Sequence, residues 1–210
     1  MPQNKQESPF EFTGGNLCLD FANTVDNFPN NRKGEHPVEL LTGYSRLLRW
    51  GEESGAITKK TAEGLNQLAS ESPGNAQLVL SHAIQLRDAI YDIFSALSHR
   101  RGIPTAALAT VNQAVQHASD HAEVVHANRH FEWRWILPEN HLDSMLWPVA
   151  RAAAELLTSD DLTNVRQCAS DTCAWLFLDK TKNHRRRWCD MRICGNRDKA
   201  RRYYQRQKAG

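Results

Sequence analysis

CASDTCAWLFLDKTKNHRRRWCDMRICGNRDKARRYY, residues 168–204, holds four of the chain's five cysteines as two pairs, Cys168 with Cys173 and Cys189 with Cys194. Four residues lie inside each pair and fifteen between the pairs. Two such C-x4-C knuckles bend the backbone so that four thiolates converge, which suits one tetrahedral zinc ion. With sulfur in every position no place is left for a substrate or an activated water, so the metal is expected to be structural. The alternative is two disulfides or four separate buried thiols; nothing in the chain points to the oxidising compartment that disulfides need.

Around the cysteines, Trp175 to Leu178 is an aromatic and apolar run that suits a short strand, Asp179 to His184 is turn-like, and Arg185 to Trp188 is the second strand candidate. After Cys194 comes Gly195-Asn196-Arg197, and Asp198 to Gln207 reads as a helix with Arg197, Arg201 and Tyr204 on one face. Knuckle, hairpin, second knuckle and a helix leaving from the last ligand describe a treble-clef-like finger. A module this small buries little apolar surface, so metal binding is expected to supply much of its folding free energy.

The pattern C-x4-C-x3-F-x-D-x-T-K-N-x-R-R-R-W-C-x4-C-G-N-R-x-K-A-R resembles the CGNR zinc-finger family, whose namesake residues stand here as Cys194, Gly195, Asn196 and Arg197. In that family the finger follows a helical domain called ABATE, described as a stress-induced transcription regulator. The run Gly14-Gly15-Asn16-Leu17-Cys18-Leu19-Asp20-Phe21-Ala22-Asn23-Thr24 is similar to the opening of that domain. The resemblance implies a bacterial zinc-finger regulator that binds DNA.

The charge distribution points the same way. Residues 1–165 carry 13 Lys or Arg against 20 Asp or Glu, a balance of −7, whereas residues 166–210 carry 13 against 4, a balance of +9. An acidic body with a basic tail is the footprint of a chain that meets a polyanion with one segment only; the alternatives are a tail lying on its own acidic domain or a solvated face. The candidate nucleic-acid contacts are Lys182, Arg185, Arg186, Arg187, Lys199, Arg201, Arg202 and Arg206, with Lys180 and Arg192 beside them. Arg201 or Arg202 is the candidate for base contact. Asn196 reads as a helix cap and Arg197 as a partner for Asp179 or Asp190. Trp175 and Trp188 read as finger core, Tyr203 and Tyr204 as stacking candidates, and His184 as a candidate phosphate contact.

The preceding residues read as a helical domain. Leu17, Leu19 and Phe21 fit a strand or the first turns of a helix; Asn27 to Pro37 is a loop; Thr42 caps a helix to Ser54, which Gly55 stops. Thr58 caps a second helix to about Ser70, and Ser72-Pro73-Gly74 breaks it. From Ala76 to Arg100 the residues Val79, Ala83, Leu86, Ile90, Ile93 and Leu97 form an apolar stripe widened by Phe94, with Ser81, Asp88, Asp92 and Ser95 opposite. A helix from Thr105 to Ala118 follows, then strands Glu123 to Ala127 and His130 to Ile136 joined as a hairpin through Asn128-Arg129. His141 to Thr158 is helical with Pro148 as a kink, and Ser159 to Arg166 connects to the finger. Cys18 reads as a small buried residue. Asp20, Asn23 and Thr24, near the double glycine, are candidates for a small ligand pocket, or else cap turns while Gly14 and Gly15 supply unusual backbone angles. His82, His117, His121 and His126 show no metal-binding signature and read as surface.

Together these readings give a mainly α N-terminal domain with a small β-hairpin, residues 1–160, plus a C-terminal treble-clef-like four-cysteine zinc finger, residues 166–210. No run of about 18 apolar residues is present and the polar start, Met1 to Ser8, has no signal-peptide core, which reads as cytoplasmic with no membrane contact. The expected function is a DNA-binding transcription regulator, not an enzyme, with one structural Zn2+ and with an N-terminal domain for sensing a small-molecule ligand or for assembly as a homodimer. The rivals are a zinc-stabilised protein- or RNA-interaction module and a nuclease. The last would need a histidine base and a second metal, for which His184 alone is too little.

Overall fold

A computed structural model describes residues 8–26, 38–136 and 141–208; the Asn27 to Pro37 loop and residues 1–7 lie outside them. Helix α1, Leu17–Ala22, opens the fold. The ambiguous apolar series resolves as helix because the Asn16 side chain accepts from the Cys18 N–H at 3.0 Å and caps it. Gly15 turns the chain into the helix with φ +71°, and a Cβ on Gly14 would stand 2.9 Å from the Asp20 nitrogen. Cys18, Leu19, Phe21 and Ala22 are all buried, so α1 is a core helix and burial pushes the Cys18 thiol far above its ordinary range.

Strands β1, Val25–Asp26, and β2, Val38–Glu39, pair antiparallel, and Glu39 accepts from the buried Arg87 at 2.6 and 2.7 Å. Helix α2, Tyr44–Glu53, starts after Gly43, one residue later than a Thr42 cap requires, and stops at Gly55, whose φ is +78°. Helix α3, Lys59–Glu71, has the expected cap, the Thr58 hydroxyl accepting from Thr61 N–H at 3.1 Å. Helix α4, Pro73–Ser98, begins three residues before the apolar stripe because Pro73 fits the first turn, where its missing N–H costs nothing. Ala83, Leu86, Ile90, Ile93 and Phe94 are buried as the periodicity predicts. Ser95, expected on the polar side, is buried as well, donating to Gln167 Oε1 at 3.0 Å.

Helix α5, Thr105–Ser119, leads into the hairpin of β3, Ala122–Ala127, and β4, His130–Trp135. Its turn residues Asn128 and Arg129 both have positive φ, +49° and +68°, the geometry that matches the twist of a two-residue hairpin. Helix α6, Trp147–Leu157, follows a 3-10 turn at Ser144–Leu146; Pro148 sits in its first turn and does not kink it. A second 3-10 turn, Asp160–Asn164, brings the chain to β5, Val165–Gln167, which pairs antiparallel with β6, Leu176–Leu178, in the register Val165 to Leu178.

The partner of β6 is thus β5, and Arg185 to Trp188 is not a strand. The buried Asp179 carboxylate accepts from the Arg186 N–H at 2.8 Å and turns that segment, leaving one ladder-like bond, Ala169 N–H to Arg187 O at 2.8 Å. Helix α7, Asn196–Lys208, ends the described chain, entered through a wide helical turn, Met191–Gly195. Alternation along β6 decides how the finger sits: Leu176 and Leu178 join the main core with Leu19, Phe21, Trp50, Ile90 and Phe94, while Phe177 packs with Trp175 and the four cysteines in a second cluster.

Burial pushes the Asp20 carboxyl up to about 6 from its ordinary 3.8, the Gly14 N–H bond at 2.7 Å only partly opposing it. Between about pH 4 and 6 the native state then holds a proton that the unfolded state has released, so Asp20 makes stability fall as pH rises through this window. Asp20→Asn, which keeps an oxygen for Gly14, is expected to flatten that fall and to be the more stable form at pH 8 by about 1–2 kcal/mol. Urea unfolding of both chains from pH 4 to 8 measures it.

Candidate metal centre and basic surface

Local backbone bonds shape both knuckles. Cys168, directly after β5, donates its N–H to Trp175 O at 2.8 Å, and Cys173 donates to Ser170 O at 3.1 Å, closing the first knuckle. In the second knuckle Asp190 accepts from the Arg192 and Ile193 N–H groups at 2.5 and 3.1 Å, and Gly195 N–H returns to Asp190 O at 3.1 Å. All four thiols are buried and their sulfurs lie within 4.8 Å of one another, Cys173 to Cys189 at 3.6 Å and Cys189 to Cys194 at 3.7 Å. A tetrahedron with Zn–S bonds of about 2.3 Å has edges of about 3.8 Å, whereas a disulfide needs about 2.05 Å. The set fits one structural zinc ion and no disulfide.

Asp179 organises the loop between the knuckles. Burial alone would raise its carboxyl, but bonds from Thr181 Oγ1 at 2.6 Å, Thr181 N–H at 3.0 Å and Arg186 N–H hold it below the ordinary carboxylate range. His184, with φ +48°, places Nδ1 2.9 Å from Asp179 O, so that nitrogen serves the loop and not a phosphate.

The basic residues divide into two sets. Arg186 donates to the carbonyls of Trp188, at 2.8 Å, and Cys189, and lies 4.5 Å over the Phe177 ring. Arg201 pairs with Asp171 and with Asp198 at 2.9 Å, and Arg202 pairs with Asp198. Arg197 donates to Thr172 Oγ1 at 2.7 Å, not to Asp179 or Asp190. Lys180, Lys182, Arg185, Arg187, Arg192, Lys199 and Arg206 are exposed and have no carboxylate partner among the described residues. Arg187 lies 5.2 Å over the half-buried Trp188, and Tyr203 and Tyr204 are open to solvent. Asn196 is exposed inside the helical run; the capping role falls to Asp190.

Asp20, Asn23 and Thr24 are turned to the chain's own backbone. Asp20 Oδ1 accepts from Gly14; Thr24 Oγ1 donates to Phe21 O at 2.8 Å; Asn23 donates to Leu176 O at 2.9 Å and accepts from Leu176 N–H at 2.8 Å. The body reaches the finger at further points that the sequence reading did not single out. Trp175 Nε1 donates to Val25 O at 2.9 Å, Leu178 N–H to Gly14 O at 2.8 Å, and the Tyr91 hydroxyl, pushed by burial up to about 12 and so kept as a donor, to Ala174 O at 3.2 Å. No local pattern marks these partners, since each bond joins residues more than 80 positions apart. Away from the finger, His117, His141 and Asp143 are also gathered, a grouping for which the His-x-Asp spacing at 141–143 was the available signal.

Residues 15–160 match the family model of ABATE, described as "Putative stress-induced transcription regulator", and residues 164–207 match that of the CGNR zinc finger. No curated protein matches the chain significantly.

Because Leu176 and Leu178 belong to the body's core, loss of the metal is expected to loosen the body as well as the finger. Calorimetry should show one unfolding transition for the zinc-loaded chain, displaced downwards by chelation or by Cys173→Ser, at a cost of several kcal/mol. Two separate transitions, the upper insensitive to chelator, would contradict it. Asn23→Leu, which strands the Leu176 N–H and C=O in the interior, should cost about 2–4 kcal/mol in urea unfolding.

Proposed function

The chain belongs to the ABATE family and carries a CGNR zinc finger behind that domain, and from that premise we propose that it is a transcription regulator whose finger binds DNA. The observation that carries this reading is the set of exposed cations, without a carboxylate partner among the described residues, on the loop from Lys180 to Arg187 and on α7, in a module built round the four-cysteine cluster. Lys182, Arg185, Arg187, Lys199 and Arg206 contact phosphates; Arg186, Arg201 and Arg202 hold the finger and α7 in shape. Tyr203 and Tyr204 extend the contact surface on α7. Neither family description names a catalytic activity, and we read the chain as a binding protein. No helix among the described residues is long and apolar enough to cross a membrane, in keeping with a cytoplasmic regulator.

The N-terminal domain, residues 1–160, supplies regulation by taking up a small-molecule ligand or by assembling two copies. A homodimer suits a protein with one small finger per chain, since a single such module covers few base pairs. The competing reading, a basic surface for RNA or protein, predicts a preference for single strands or no nucleic-acid binding at all.

Fluorescence anisotropy with a labelled mixed-sequence duplex at several salt concentrations tests the reading. A chain cut at Val165 is a poor control, because it would strip Leu176 and Leu178 from the core. Charge substitutions serve better: Lys182→Ala, Arg185→Ala and Arg187→Ala together should weaken binding and reduce the steepness of log affinity against log salt by about 3, near 0.9 per phosphate released. Absence of binding by the zinc-loaded chain at low salt would leave the finger to a protein partner.

A further inference from the structure

His117, on the last turns of α5, and the pair His141 and Asp143, before the Ser144–Leu146 turn, bring one ligand atom each to within 4.8 Å of the others. His117 Nε2 stands 2.6 Å from Asp143 Oδ2, and His141 Nδ1 stands 3.5 Å from Asp143 Oδ1. Ligands bonded at about 2.1 Å to one ion lie about 3.0 Å apart in an octahedron and about 3.4 Å in a tetrahedron, so small side-chain rotations suffice to seat a metal here. We propose that His117, His141 and Asp143 form a second, open divalent transition-metal site at the rim of a cavity between α4, α5 and α6.

The donor set is built and oriented by the fold. Leu142, between the two ligands, is buried, and its carbonyl accepts from the Tyr44 hydroxyl at 2.6 Å, anchoring the His141–Asp143 backbone. The buried Trp147 donates its indole N–H to Asp143 Oδ2 at 3.2 Å, the kind of outer contact that aims a carboxylate at a metal. His121 stacks on Trp147 at 4.2 Å and lies 4.7 Å from His141, closing one side. An ordinary surface ion pair needs one imidazole for one carboxylate. Here two imidazoles share one carboxylate beside the Trp147 and His121 rings, and the 2.6 Å contact between His117 and Asp143 is a hydrogen bond that metal binding would replace, releasing its proton.

Two imidazoles and one carboxylate suit zinc, nickel, cobalt or ferrous ions over magnesium or calcium, and three protein ligands leave positions open. Those positions face a cavity of about 330 Å³ whose lining includes His82, Gln85, Thr110, Gln113 and Trp147 along with His117 and Asp143. This contrasts with the four-sulfur site, where the four cysteines leave no position open to a further ligand. The site is independent of the nucleic-acid reading and stands or falls without it.

The test is cobalt titration of the untagged full chain with zinc already in the finger, followed by visible absorption and equilibrium dialysis. A second equivalent should bind with weak ligand-field bands and without the intense thiolate charge-transfer bands that cobalt in the four-cysteine site would give. His117→Ala with His141→Ala should lower its affinity at least tenfold while finger zinc stays at one per chain, and Trp147→Phe should lower it about tenfold. Asp143→Asn, isosteric and able to keep the Trp147 bond, gives the same loss if the double variant folds poorly. No second equivalent at millimolar cobalt, or one that survives both the double substitution and Asp143→Asn, would overturn the proposal.

Discussion

Leu176 has its N–H and its C=O both met by the Asn23 amide, and its side chain lies among Leu19, Phe21 and Ile90 in the main core. The strand that links the two zinc knuckles is for this reason also a strand of the helical body. Its neighbour Phe177 points the other way, into the cysteine cluster. One three-residue strand therefore transmits constraint between two cores, apolar packing on one face and metal coordination behind the other. Tyr91, Val25 and Gly14 add backbone bonds across the same seam. A finger so attached cannot tumble on a linker, and its basic loop has a fixed orientation relative to the body.

Charge inside the finger is divided by geometry and not by sequence position. Arg185, Arg186 and Arg187 are consecutive, yet Arg186 folds back onto Phe177 and the carbonyls of Trp188 and Cys189 while its neighbours face solvent. Arg201 and Arg202 likewise answer Asp198, which is buried and would be costly to leave alone. A zinc ion with four thiolates carries a formal charge of −2, and a guanidinium held at the Cys189 carbonyl offsets part of it. The surplus of positive charge in residues 166–210 is thus partly structural, and the share open to a partner is smaller than the composition suggests.

What the sequence made legible was whatever is encoded locally. Cysteine spacing announced the metal centre, the stripe from Ala83 to Phe94 announced α4, and Asn128-Arg129 announced the hairpin turn, because each signal lies within a short stretch of chain. The pairing of β6 with β5 was not legible: apolar runs do not name their partner, and Asp179 takes up the Arg186 N–H that a second finger strand would have used. Thr42 reads as the cap of α2, whereas the helix starts after Gly43, which has no side chain to cap with and leaves no signal in the sequence. Pro148 reads as a kink in a helix that begins at His141; the helix begins at Trp147, which puts the proline in the first turn. Asn23 shows the limit most plainly, its partner standing 153 residues further along.

That separation bears on how the molecule is made. On the ribosome the helices through α6 emerge well before β6, so during synthesis the body waits with a gap where Leu176 and Leu178 belong and with the Asn23 amide unanswered. Leu176 and Leu178 emerge after the first pair of zinc ligands and before the second, so the core is completed before the zinc site can close. Without zinc the two knuckles on either side of β6 lose what joins them, and the seam of Asn23 and Leu176 then opens more readily to chaperones and proteases.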